Sequence, residues 1–164
     1  MTRTCLFVGA LALFGAGAAL AQTHQPAHHS VDPATLQWID APPGLPAGAK
    51  QALLYGDPSK PGQFILRARL PAGYRIAPHT HPTREMVTVL SGSMRLGFGP
   101  SGDLDQASTM STGAFVAMDP GTIHYLQANQ ETVIQVAGEG PFQIVYVNPA
   151  DDPRNSPPQE RGGN

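Results

Sequence analysis

A chain of 164 residues has room for one ordinary domain and none for two full catalytic ones. Its 10 Lys and Arg stand against 12 Asp and Glu, a net charge of −2 with no basic cluster, which argues against nucleic acid as a partner. With 18 Gly, 17 Pro and 41% hydrophobic residues, the composition describes short strands and many turns around a real core.

The first residues read as an export signal. Arg3 supplies the positive start, residues 5–20 form an apolar or small-residue run, and Ala19-Leu20-Ala21 offers a cleavage site before Gln22. Residues 1–21 are therefore expected to be a signal peptide, removed in a periplasmic or secreted product with no stable membrane insertion. Cys5 is the only cysteine. The mature chain then has no disulfide and no thiolate chemistry. Residues 22–34 read as a flexible spacer whose His24, His28 and His29 have nothing around them to build a cage.

Residues 36–39, which include the single Trp38, are expected to form an N-terminal strand packed on the domain. A second strand is expected over 51–55, before the turn Asp57-Pro-Ser-Lys-Pro-Gly62. In 64–70, Phe64, Leu66, Ala68 and Leu70 alternate with Ile65, Arg67 and Arg69, the period of two that marks a strand with one face in a core. That alternation puts Arg67 and Arg69 on the solvated face. Similar runs lie at 86–90, 93–98, 114–118, 132–137 and 142–147, with turn formers at 71–73, 91–92, 99–113, 119–121 and 138–141 between them. Tyr74, Tyr125 and Tyr146 read as packing residues whose hydroxyls reach a partner or the surface. Met86, Met94, Met110 and Met118 are scattered fillers of core and loop. No stretch has a helical period, and strands at this spacing make an antiparallel sandwich or barrel over 35–150. The polar, Pro- and Gly-rich residues 151–164 read as a disordered tail.

The chemistry concentrates in Pro78-His-Thr-His-Pro82. Residues two apart on an extended strand point the same way, so His79 and His81 can converge on one point. Glu85 can return a carboxylate to that side across the bend at Pro82, and His124, in Asp119-Pro-Gly-Thr-Ile-His124, can supply a fourth ligand. Three imidazoles and a carboxylate suit Fe, Mn, Ni, Cu or Zn, whereas Ca and Mg prefer oxygen cages.

The spacing Gly73, His79, His81, Glu85, Gly92 resembles the first motif of the cupin family without departure. The second motif is matched in part: Gly113, Gly121 and His124 fit, but Asp119 stands at the family's usual proline, with Pro120 one place on, and Ala128 replaces its usual asparagine. The resemblance covers residues 51–147. It implies an all-β fold, a single-domain antiparallel jelly-roll barrel, with one divalent transition metal ion held in its wider end by His79, His81, Glu85 and His124. Two coordination positions would stay open in an octahedral complex. The function this implies is a small-molecule metalloenzyme, a dioxygenase or another metal-assisted catalyst such as an isomerase, lyase or hydrolase. The competing expectation is a non-catalytic periplasmic protein that binds a small ligand or the metal itself. Exposed edges of a small barrel allow a homodimer.

Overall fold

The computed structural model describes residues 28–155; the expected signal peptide, His24 and residues 156–164 of the expected tail lie outside it. Its strands are Ile39–Asp40 (β1), Lys50–Tyr55 (β2), Gly62–Leu70 (β3), Arg75–Thr80 (β4), Glu85–Ser91 (β5), Ser93–Phe98 (β6), Ser108–Ser111 (β7), Phe115–Met118 (β8), His124–Ala128 (β9), Thr132–Gly140 (β10) and Val145–Tyr146 (β11). They form a six-stranded sheet in the order β1-β2-β3-β10-β5-β8 and a five-stranded sheet in the order β11-β4-β9-β6-β7, with antiparallel pairing throughout. This is the expected all-β jelly roll. Among the described residues no helix is long and apolar enough to cross a membrane.

The core lies between the sheets and is built by the alternation visible in the sequence. Phe64, Ala68 and Leu70 of β3 point inward beside Ile134 and Val136 of β10 and Val87 and Val89 of β5. Met94 and Leu96 of β6 meet them from the other sheet with Ile76, Leu126 and Ala128. Register is what keeps this face apolar, because a slip of one residue would turn every side chain over. Gly92 closes the β5–β6 hairpin at φ +80°, and a Cβ there would stand 2.9 Å from Thr132 Cα. Backbone conformation and space both favour glycine.

Four details differ from the sequence reading. The separator at 99–113 contains β7, whose Ser-Thr-Met-Ser sequence shows no hydrophobic period; it forms because Ser93–Leu96 offer it a paired edge. The run 142–147 narrows to the two residues of β11, since Pro141 and the loop 141–144 turn toward the barrel interior and bring Phe142 against Phe64. The strand expected at 36–39 is displaced to β1, and Trp38 instead lies over the Arg69 guanidinium at 4.3 Å. Arg67 and Arg69 do face away from the core, but both are half-buried, Arg69 beneath Trp38 and Arg67 beside Gln135.

Residues 41–47 run as a strap from β1 toward the opposite sheet. Tyr74 donates its hydroxyl to Pro46 O at 2.6 Å and Tyr146 donates to Gly44 O at 2.9 Å. The first residues of the expected tail form 3₁₀ turns at Pro149–Asp151 and Pro153–Asn155, and Arg154 Nη2 donates to Ile144 O at 3.0 Å.

Candidate metal centre

Three strands and the bend after the first of them bring four side chains together. His79 is in β4 and His81 just beyond its end, so the Pro78-His-Thr-His-Pro82 segment aims both rings inward. Glu85 opens β5 after the bend at 82–84, and His124 opens β9, whose register sets it opposite His79. All four are buried. The turn before His124 is Asp119-Pro120-Gly121-Thr122, with Thr122 N–H on Asp119 O and Gly121 at φ +77°. A type II turn needs a positive φ at its third position, which Gly121 supplies, and favours proline at its second. Gly121 N–H also donates to His81 O at 2.9 Å, which locks the two ligand-bearing segments to each other.

Each imidazole is oriented by a backbone carbonyl. His79 Nδ1 lies 2.8 Å from Ala77 O, His81 Nδ1 2.7 Å from Gln143 O, and His124 Nδ1 3.0 Å from Thr122 O. A carbonyl oxygen only accepts, so each Nδ1 carries a proton, and in the neutral ring each Nε2 then presents a lone pair. This is the outer support that metal-ligating histidines ordinarily have. Main-chain carbonyls supply it at all three histidines.

The three histidines offer nitrogen atoms within 4.8 Å of one another. Glu85 Oε2 sits 3.2 Å from His124 Nε2 and 3.4 Å from His81 Nε2, and it is buried with no hydrogen-bond partner among the described residues. Burial pushes the pKa of His79 well below its ordinary value, and the neighbouring His124 and His81 push the same way, against the bond to Ala77 O. Burial also lowers His81, while the Glu85 carboxylate and Gln143 O oppose it. Neutral imidazole is the form that ligates. With Nδ1 protonated, the Nε2 lone pairs and the carboxylate oxygen are acceptors facing acceptors. A single proton could bridge one such contact; it could not serve both contacts and a third histidine.

The sequence reading missed two neighbours. Phe142 stacks on His81 with ring centroids 4.2 Å apart and planes inclined by 13°, and Tyr146 lies 5.9 Å from the His79 ring. Gly138 to Pro141 signalled the turn that delivers Phe142, but nothing in the pattern showed that the next residues leave the strand. His29 is held elsewhere, donating to Leu54 O at 2.6 Å beside Tyr55.

The four side chains open on a cavity of about 310 Å³ between the sheets. Its other walls include Leu66, Leu70, Met94, Leu96, Met118, Ile134 and Val136, with Ala41, Pro42 and Leu45 from the strap.

Comparison with known proteins places this architecture. A family model described as "Domain of unknown function (DUF4437)" matches residues 18–145. No curated protein matches the chain. Among solved structures, the polyketide cyclase RemF of Streptomyces resistomycificus superposes with a TM-score of 0.64 at 18% identity, over 77% of this chain and 90% of that one. A candidate acetylacetone dioxygenase of Methylibium petroleiphilum gives 0.61 at 18% identity over 79% and 87%. An RmlC-like cupin of Shewanella frigidimarina gives 0.54 at 12% identity over 69% and 91%. At these identities the likeness is one of fold. The chain belongs to the DUF4437 family and has the fold of the cupins.

Proposed function

We propose that this protein is an exported metalloprotein that holds one divalent transition metal ion through Nε2 of His79, His81 and His124 and the carboxylate of Glu85. The observation that carries the reading is the Glu85 oxygen: a buried acceptor facing two imidazole nitrogens at 3.2 and 3.4 Å, with no donor among the described residues to satisfy it. A buried, unpartnered carboxylate is costly, and a divalent cation among these atoms removes that cost. Nitrogen donors with one carboxylate favour Fe, Mn, Ni, Cu or Zn.

The activity that fits best is metal-assisted chemistry on a small molecule, with dioxygen chemistry favoured. When bound, the ion would supply Lewis acidity or, if redox-active, electrons. The chain's own groups do the rest: carbonyls 77, 122 and 143 hold the imidazoles in register, and the alkyl walls exclude water from the reacting end. The structural likeness to a candidate dioxygenase agrees with this reading and does not by itself assign the reaction. Export rests on Arg3, the apolar run 5–20 and the cleavage sequence before Gln22.

The test is metal analysis of native protein followed by oxygen-uptake assays. One redox-active ion per chain with substrate-dependent uptake is expected. Turnover with zinc alone and no oxygen uptake overturns the oxygenase version; an absence of tight metal overturns the whole reading.

A further inference from the structure

The cavity beside the cluster is chemically one-sided. Among the described residues no lysine or arginine lines it, and apart from the four cluster residues its polar lining is Gln51 and Ser59. The remaining wall is alkyl or aromatic, from Leu66 and Val116 in the six-stranded sheet to Leu126 in the other. At about 310 Å³ it lies at the small end of ligand sites. That is room for about ten water-sized groups at ~30 Å³ each.

We infer that the site takes a small molecule with one metal-chelating oxygen head and an uncharged alkyl or aryl body. This inference rests on the metal reading of the cluster and specifies its substrate class. The head must reach the histidines and Glu85, because they are the concentrated polar groups of the lining. The body must then lie along the alkyl walls. A second carboxylate, a phosphate or the hydroxyls of a sugar would be buried there without a countercharge and with few hydrogen-bond partners, at a penalty that shape cannot offset. Phe142 and the strap residues Ala41, Pro42 and Leu45 complete the enclosure. Tyr74 and Tyr146 anchor that strap through hydroxyl bonds to Pro46 O and Gly44 O, the second of them buried.

A ligand series with a constant head tests this. Cobalt(II)-loaded protein is titrated with alkyl hydroxamates from acetohydroxamate to decanohydroxamate and with succinic monohydroxamate, which matches pentanohydroxamate in length but ends in a carboxylate. The d–d spectrum reports binding without any need for turnover. Affinity is expected to rise by about fourfold per methylene while each is being buried. It should level off once about ten non-hydrogen atoms are enclosed. Succinic monohydroxamate should bind at least 100-fold more weakly than pentanohydroxamate, by roughly the penalty of an unpaired buried charge. Leu66→Ala should move the levelling point to a longer chain, and the wild-type series decides the matter if that variant fails to fold. Cobalt that binds and responds to the hydroxamates, but with affinities flat in chain length or unchanged by the terminal carboxylate, overturns this inference and leaves the metal site standing. Failure to take up cobalt overturns both.

Discussion

Acid should unfold the metal-free protein through the same histidines that are proposed to bind the ion. Burial holds the pKa of His79 and His81 below the ordinary 6.5. Below that value an unfolded chain takes up a proton at each histidine while the folded chain does not, so stability falls as pH falls. Above pH 6.5 both states are neutral and this contribution is fully present. His79 is depressed far enough to remain neutral throughout mildly acidic solution. Its contribution falls with a slope that approaches about 1.4 kcal/mol per pH unit below 6.5, hence by ~2.7 kcal/mol between pH 7.5 and 4.5. His81 adds a smaller loss, because Glu85 and Gln143 O partly hold its proton. Urea unfolding in the presence of a chelator at pH 7.5 and 4.5 measures the total. His79→Gln isolates the main part: whatever it costs at pH 7.5, its pH dependence should be weaker than that of wild type by about 2–3 kcal/mol over the interval. Equal pH dependence in wild type and variant would refute a desolvated, neutral His79.

Three further outcomes are expected. His81→Ala and His124→Ala should each abolish tight binding of one ion per chain, measured by equilibrium dialysis with elemental analysis, while His28→Ala and His29→Ala leave it intact. Glu85→Gln should retain the ion with at least tenfold weaker affinity, since the amide keeps an oxygen donor but removes the negative charge; in the metal-free protein it should raise stability in urea, because a buried unpartnered carboxylate is lost. Tyr146→Phe should lower stability by about 1–2 kcal/mol, the value of a buried hydroxyl bond that leaves Gly44 O unsatisfied, and should speed hydrogen exchange in the strap before other regions.

The fold was legible wherever burial imposed a period. β3, β5, β6 and β10 each have one face in the core, and alternation is the direct trace of that constraint. β7 left no trace, because its polar residues pair with β6 while facing solvent in large part. Phe142 misled for the opposite reason: an apolar residue in an apolar run reads as strand whether it lies on a sheet or drops from a loop onto a histidine ring. The four candidate ligands were legible because side-chain chemistry identifies them. The groups that orient them were not, since Ala77 O, Thr122 O and Gln143 O belong to the main chain and any residue could supply them.

That distinction explains how the chain keeps its cluster while departing from the second motif. Moving the proline from 119 to 120 leaves it at the position of the turn that its fixed φ favours, and Gly121 N–H still reaches His81 O. Asp119, freed from that role, accepts Arg84 Nε and Nη2 at 2.9 and 2.6 Å, tying the His124 turn to the residue beside Glu85. Both groups are exposed, so the pair adds at most a few tenths of a kcal/mol and serves as a tether. At 128, where an asparagine side chain is usual, alanine is fully buried and its backbone N–H and C=O pair with Tyr74 O and Gly73 N–H, both at 2.9 Å. Neither departure touches an imidazole or the main-chain carbonyl behind it. The geometry of the cluster depends on strand register and turn conformation, and substitutions that preserve both leave the four side chains in place.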